Sequence, residues 1–359
     1  MPILVTGSTG FLGTSLVEYL CASGKTHLRC FVRPNSDTHK LDELRAKYPS
    51  TNLEYFVGNL LCSNDVDRAV RGIDTIYHLA AQLRGAAPSL FENTVVASRN
   101  LLEGIIAHAV QRVVLVSSIS VYGLAQVRHG ASITESQPLE PNPERRDSYT
   151  FSKIRQDLLF QQYRRQHNFE LVILRPGPIY GNDRPPLPGR AGLRFGSVFL
   201  QIAPHHTIPV VYIANCVAAL ALAGSREFRE GCYNVVDDDL PTGQEYVHAF
   251  RSAVQRLHCM KLSAQSALFL ARILDRYRRY SKDGIPRLLT PYQVKAAWGG
   301  HRFSNLKLKR AGWQPPVPTA EAMLSTFSVS SHPQRPAKER EASRTYIPSQ
   351  PSQLVKSEN

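Results

Sequence analysis

Ile3-Leu4-Val5-Thr6-Gly7-Ser8-Thr9-Gly10-Phe11-Leu12-Gly13 opens the chain and decides its fold. The apolar triplet reads as a buried strand, the glycines as a tight turn, and the residues after them as the start of a helix. Gly7 permits the turn, Gly10 lets the backbone approach a pyrophosphate, and Gly13 lets helix and strand pack closely. The helix N-terminus then presents free N–H groups to an anion. A glycine trio alone is a weak signal. Placed directly after a strand, at the head of an alternating pattern, it marks a dinucleotide site. Thr9, Phe11 and Leu12 share this turn and are expected among its cofactor contacts.

Outward from that turn, apolar runs at 3–5, 28–32, 53–57, 75–79, 113–117 and 171–174 read as strands. Helical stretches at 14–23, 65–71, 95–109 and 148–166 separate several of them. This alternation predicts an α/β fold, a doubly wound parallel sheet covered by helices on both faces. Continuous rather than alternating apolar strands fit burial on both sides. Residues 1–174 are expected to form the dinucleotide-binding domain and 175–327 mainly a smaller C-terminal substrate lobe. Within 208–236, segments 210–211 and 233–236 are expected to return as strands to the main sheet. Pro176, Pro178, Pro185, Pro186 and Pro188 mark irregular chain. The tail 328–359, rich in Ser, Pro, Gln and charge, is expected to be disordered.

Bulk properties narrow the function. Six scattered cysteines with no C-x-x-C speak against a metal site or a disulfide scaffold and fit a reducing cytosol. No basic leader precedes the first strand, so no signal peptide is expected. The longest apolar run, about 212–224, is too short to span a bilayer. A cytoplasmic protein is the expectation, with surface membrane association as its variant. The formal net charge of +14 invites a nucleic-acid reading, but no zinc-finger spacing, helix-turn-helix cue or basic-aromatic motif accompanies it. The charge is read as solvated faces, a field also suited to acidic substrates, a phosphorylated cofactor or anionic lipid.

The chemistry sits further along. Val116-Ser117-Ser118-Ile119-Ser120-Val121-Tyr122-Gly123 ends a strand on hydroxyls, and Tyr149-Thr150-Phe151-Ser152-Lys153 follows. Tyr149 and Lys153, at i and i+4, share one helix face. A neighbouring ammonium favours the phenolate, so Tyr149 is expected to exchange a proton with an alcohol or carbonyl near neutral pH. Ser118 is expected to donate a hydrogen bond to the same oxygen. At the end of the second strand stands Arg33, where an acid would bind a ribose 2′-hydroxyl. A guanidinium suits a 2′-phosphate instead, which favours NADP(H) over NAD(H).

These motifs resemble the extended short-chain dehydrogenase/reductases, the group also called the NAD-dependent epimerase/dehydratase family. Thr6-Gly7-x-x-Gly10-x-x-Gly13, Tyr77-His78-Leu79-Ala80-Ala81, Ser117-Ser118-x-x-Val121-Tyr122-Gly123, Tyr149-x-x-x-Lys153 and Leu174-Arg175-Pro176-x-x-Ile179-Tyr180-Gly181 match it in order and spacing. Ala311-Gly312-Trp313-Gln314-Pro315 resembles a segment near the family's end, so the likeness covers about 2–327. The resemblance implies a Rossmann sheet with Tyr149 as acid/base, Lys153 on the nicotinamide ribose and lowering the tyrosine pKa, and Ser118 in the Ser/Thr position. It adds Asn59, Leu60, Ala80 and Pro176 to the cofactor contacts, alongside Tyr149 and Lys153 themselves.

Departures refine the reading. Asn59 stands where an Asp near the adenine is usual, and an amide still bonds an adenine amine. Thr94, with Asn93 adjacent, occupies a position where the family often has a supporting Asn. Ala214 replaces a common Asp, which is expected to loosen the link between lobes. Pro178 replaces the Asn that contacts the sugar nucleotide in nucleotide-sugar members, and resembles the 3β-hydroxysteroid dehydrogenase and flavonoid reductase branch. Ile119 and Ser120 stand where dehydratases carry an Asp-Glu pair. The favoured activity is NAD(P)-dependent interconversion of a secondary alcohol and a ketone on a small, apolar substrate. The alternatives are a nucleotide-sugar epimerase with bound NAD and, last, a non-catalytic NADP-binding sensor. Residues 266–280 read as an apolar helix turning basic, either a lobe helix or one resting on anionic lipid. The resemblance also implies a homodimer through the long helices.

Overall fold

The computed structural model describes residues 2–181, 187–280 and 289–328. The tail assigned to disorder lies, from residue 329, outside the described residues. Seven strands form one parallel sheet: β1 (Ile3–Thr6), β2 (His27–Val32), β3 (Asn52–Val57), β4 (Thr75–His78), β5 (Arg112–Val116), β6 (Glu170–Pro176) and β7 (Gly231–Val235). Their spatial order is β7-β6-β5-β4-β1-β2-β3, all parallel. The direction of winding reverses between β1 and β4, and open sheets of this kind bind ligands at the carboxyl ends of such neighbours.

Alternate residues of each strand feed opposite cores, which is why the strands read as unbroken apolar runs. Ile3 and Val5 pack with Leu16, Val17 and Leu20 of helix Phe11–Ala22 and with Val217 and Leu220 of helix Ile213–Ala223. Leu4 and Ile76 face the other way, onto Leu101 and Ile105 of helix Ala97–Ala107 and Phe160 of helix Ser148–Gln166. The latter helix begins where Asp147 accepts a bond from Thr150 N–H (2.9 Å) and ends on Arg164 and Arg165, charges that suit both ends of its dipole.

Two expectations need correction. Segment 233–236 does supply β7, but Val211–Tyr212 pairs with Ile179–Tyr180 in a separate two-stranded sheet. One tight connection after β6 leaves that pair beyond the sheet's edge. The helix expected at 95–109 is present as Ala97–Ala107, and helix Ala87–Phe91 leads into it through a π-turn, Glu92–Val96. The link around Ala214 is not loose. Asn215 takes up the role, its amide donating to Asp237 (2.8 Å) and the Val317 carbonyl (2.9 Å) while its oxygen accepts from Val317 N–H. Tyr180 and the Tyr212 N–H also donate to Asp237, and the Trp313 indole donates to the Asn215 carbonyl. Asn215, through its side chain and its backbone carbonyl, therefore ties the family-like Trp313 segment to helix Ile213–Ala223 and to Asp237.

Candidate active site

The glycine turn is shaped for close approach by an anion. Gly7 has φ +72°, and a Cβ there would fall 2.9 Å from the Ala80 nitrogen. At Gly13 it would fall 2.1 Å from the Gly7 oxygen, so helix and turn touch only because Gly13 has no side chain. Gly10 differs: a Cβ would meet only its own turn, at the Gly7 oxygen (3.2 Å), leaving its outer face clear. Gly10 also caps helix Phe11–Ala22 and has no side chain to occupy the first-turn N–H groups. Thr9 and Leu12 are half-buried in the same turn, and the Phe11 ring packs by Gly181. This cradle fits a dinucleotide pyrophosphate.

Along the sheet edge, Ser8 donates to the Phe31 carbonyl and ties the turn to β2. Arg33 follows β2, exposed, and no side chain among the described residues pairs with its guanidinium. Next to it, Gly58 N–H bonds the Val32 carbonyl, so Asn59 follows β3 at the same level. Asn59 holds its own loop, its oxygen accepting from Leu61 N–H while Asp65 takes its backbone N–H. Asn100 donates to the Leu60 carbonyl. Arg33, Asn59 and Leu60 thus flank one end of the cradle. Ala80, whose N–H donates to Thr6 Oγ1 (3.3 Å), closes its middle. Pro176 is buried at the end of β6, in register with Val235. Where the family often has its supporting Asn, Thr94 Oγ1 accepts from Gln82 N–H, and Asn93 bonds Ser89 instead.

At the other end the structure brings Ser118, Tyr149 and Lys153 together. Ser118 and Tyr149 are half-buried and hydrogen-bonded to each other. Lys153 is buried, its ammonium donating to the Val116 carbonyl (2.7 Å) and to Gln156 Oε1 (2.5 Å). The expected lowering of the tyrosine by Lys153 is not found. Burial, then the Asp147 carboxylate, push the Tyr149 phenol up to about 12 against the Ser118 hydrogen bond. The ammonium is committed to Val116 and Gln156 rather than to the phenol. Burial lowers Lys153 itself to about 8, with Asp157 opposing.

Sequence reasoning missed what lies behind Lys153. Gln156 Nε2 reaches Ser98 Oγ (2.8 Å) and His78 Nε2 (3.2 Å), and His78 Nδ1 meets Thr6 Oγ1 (2.7 Å). All are buried. A polar chain thus runs from the glycine turn to the Lys153 ammonium. Burial, with the nearby Lys153 charge, lowers His78 to about 3, so the ring is neutral. The available signal was Gln156 on the same helix face as Lys153, three residues on. Ser120 was missed too: its hydroxyl is buried beside Ser118 without a partner among the described residues. Below this layer Asp157 pairs bidentately with Arg175 (3.0 Å twice) and accepts from Ser117 (2.6 Å), anchoring the helix to β5 and β6.

Residues 3–198 match the NAD dependent epimerase/dehydratase family. The chain belongs to that family. It is 29% identical over 249 residues to Sterol demethylase protein B of Methylococcus capsulatus, across 68% of this chain and 72% of that protein. It is 31% identical over 236 residues to an uncharacterized UDP-glucose epimerase of Bacillus subtilis, across 61% of this chain and 71% of that protein. Among solved structures, the UDP-glucose 4-epimerase of Thermus thermophilus in complex with NAD superposes with TM-score 0.66 at 22% identity, across 92% of this chain and 98% of the other. That last likeness is one of fold. The chain is thus an enzyme of the extended short-chain type, in a family whose members include dehydrogenases, epimerases and dehydratases.

Proposed function

We propose that the protein is an NADP(H)-dependent oxidoreductase that interconverts a secondary alcohol and a ketone. The observation that carries this reading is the hydrogen-bonded Ser118–Tyr149 pair beside buried Lys153, across the sheet edge from the glycine cradle. Gly7, Gly10 and Gly13 with the helix N-terminus would hold the pyrophosphate. Arg33 would hold a 2′-phosphate, Asn59 and Leu60 the adenine side, and Lys153 the nicotinamide ribose. A bound nicotinamide supplies or accepts the hydride. Tyr149, protonated at neutral pH, donates a proton to the substrate oxygen as Ser118 bonds it, a role suited to ketone reduction. Relatives named sterol-4-alpha-carboxylate 3-dehydrogenase and sterol demethylase support an alcohol–ketone reaction. The epimerase alternative draws on relatives with epimerase names. Against it, Pro178 offers no amide to a sugar nucleotide. A sensor needs none of Ser118, Tyr149 and Lys153.

The test is a titration of the full chain with NADPH, NADH and UDP-glucose beside an Arg33→Ala variant. The expected result is tighter NADPH binding than NADH, reduced about tenfold or more by the substitution through loss of about 1.5–3 kcal/mol of charged hydrogen bonding, and no effect of UDP-glucose. NADH preference with UDP-glucose binding would make the epimerase the working reading.

Helix Ala264–Tyr280 supports contact with an anionic membrane surface, and hence an apolar substrate. Ala267 and Ala271 are buried, while Phe269 (65% exposed), Ile273 (49%) and Tyr277 (59%) form a stripe at four-residue spacing. Arg272 and Arg276 are also exposed on this helix. The side chains of Arg278 and Arg279 lie outside the described residues. No helix among the described residues is long and apolar enough to cross a membrane; the exposed apolar stripe beside arginines would suit a helix lying on an interface. A Phe269→Ser/Ile273→Ser double variant is expected to lose most co-sedimentation with anionic vesicles. Equal sedimentation of variant and native protein would remove this part of the proposal.

A further inference from the structure

The C-terminal lobe has a three-stranded sheet of its own, in the order His258–Leu262, Val198–Ile202, Gly192–Phe195. On one face Leu200, Ile202 and Leu262 pack with Ala267 and Ala271 of helix Ala264–Tyr280. On the other, Phe199 and Cys259 pack with Val247 and Phe250 of helix Gly243–Ala253. Strand His258–Leu262 stands at the edge and pairs on one side alone. His258 N–H donates inward to the Ser197 carbonyl, and the Leu262 carbonyl accepts from Ala203 N–H. Successive residues of a strand turn their N–H and C=O to opposite sides. The peptide groups of Cys259 and Lys261 therefore point outward, and they have no partner among the described residues. Such an edge is a template for another strand.

A groove runs beside this edge. Its free volume is about 360 Å³, within the range of ligand clefts. One wall is a face of helix Gly243–Ala253, where Gln244, Val247, His248 and Arg251 line up at three- and four-residue spacing. The floor is Cys259 and Lys261, with Gln201 in register with Lys261. A strand added at the edge would place alternate side chains on the face that carries Cys259 and Lys261, and so in the groove.

The groove offers donors and positive charge. Arg251 and the His248 ring are exposed, with no side-chain partner among the described residues. The Lys261 ammonium donates to Gln244 Oε1 (3.1 Å) and pairs with no carboxylate. Gln201 is only 2% exposed, yet its amide nitrogen has no partner among the described residues, a cost that a ligand oxygen would remove. The carboxylate on this wall, Glu245, is turned to its own helix cap, where the Thr242 N–H (2.8 Å) and hydroxyl (2.9 Å) donate to it. Lys261 is held at the Gln244 end of the groove, and Arg251 stands two helical turns on, about 10 Å along the axis. Alternate side chains of a strand are about 7 Å apart, a spacing that two flexible basic side chains can meet. A small anion would use the charges and leave the strand edge unpaired.

We propose that this edge and groove dock an acidic peptide segment of a protein partner, added as a strand beside His258–Leu262 with alternate Asp or Glu side chains against Lys261 and Arg251. The site shares no residue with the glycine cradle or with Ser118, Tyr149 and Lys153, so it stands independently of the oxidoreductase reading.

The experiment titrates the full chain into a fluorescein-labelled hexapeptide of alternating Glu and Val and follows anisotropy. Saturable binding is expected with a dissociation constant of about 10–100 μM. An alternating Lys and Val peptide is expected not to bind. Two further peptides carry N-methyl groups at the Glu or at the Val residues, and one of the two is expected to lose binding, since one set of amides faces the edge. Arg251→Glu/Lys261→Glu is expected to weaken the acidic peptide about tenfold or more while NADPH binding stays unchanged. Amide hydrogen exchange at Cys259 and Lys261 should slow when the peptide is present. No saturable binding of the acidic peptide to the native chain overturns the proposal, whatever the variant does. Equal binding of the basic peptide, or full binding of both N-methylated peptides, also overturns it, the latter leaving a site for small anions. Self-association of the native chain that Arg251→Glu/Lys261→Glu abolishes would assign the edge to a second copy instead.

Discussion

Tyr149→Phe is expected to lower turnover about 10²–10⁴-fold, the range for loss of a positioned proton donor, while NADPH binding is retained. The phenol is half-buried, bonded to Ser118, and held protonated by burial and by Asp147. Removing its hydroxyl deletes the donor without emptying space in the core, so the fold should be kept. The pushed-up phenol also sets a direction. Ketone reduction, which uses the protonated form, should be supported at pH 7. Alcohol oxidation, which needs the phenolate, should speed up as pH rises. The measurement is steady-state turnover in both directions across pH 6 to pH 10, beside cofactor binding. Native turnover in the Tyr149→Phe variant would remove Tyr149 from the proton step and return the site to a binding role.

Gln156→Leu should destabilise the fold more than any other substitution named above. The side chain bonds Lys153, Ser98 and His78 at once. An apolar replacement leaves buried polar atoms short of partners, at about 1–3 kcal/mol each, or about 2–5 kcal/mol together. It also frees the Lys153 ammonium to shift, so the Michaelis constant for cofactor should rise as well as stability fall. Denaturant unfolding and cofactor titration read these two effects separately. The same network gives a pH signature. His78 titrates near 3 in the folded protein against about 6.5 when unfolded. Below pH 6.5 the unfolded chain therefore binds a proton that the folded protein refuses. Stability is full above that pH and declines as pH falls, by about 2 kcal/mol from His78 between pH 6.5 and pH 5. His206 and His301 are lowered in the same direction, so the native profile should be steeper than His78 alone requires. A His78→Gln variant should show a flatter profile than the native protein. Identical slopes would mean that the ring is already charged in the fold.

Much of this enzyme is written locally. The strand-turn-helix at Ile3–Gly13, the apolar runs of the parallel sheet and the start and end of helix Ser148–Gln166 follow from patterns a few residues long. Periodicity and caps are short-range properties, so they survive in the one-dimensional record. The glycines were legible for the same reason, since their work is on adjacent backbone. Tyr149 and Lys153 were legible because one helix face joins them.

The tertiary structure decided what depends on distant neighbours. The tyrosine pKa is one case: spacing suggests help from Lys153, but burial and the Asp147 carboxylate push the phenol up, while the ammonium is held by Val116 and Gln156. The separate pairing of Val211–Tyr212 is another, because a two-residue strand has no pattern of its own. The Thr6–His78–Ser98–Gln156–Lys153 chain draws on four elements up to 147 residues apart in sequence. The groove beside strand His258–Leu262 takes its floor in part from Gln201, which strand pairing brings opposite Lys261. Local sequence determines which elements form and which carry chemistry. Only packing determines which polar groups lose their water, and that loss sets their charge, their partners and the ligand they can accept.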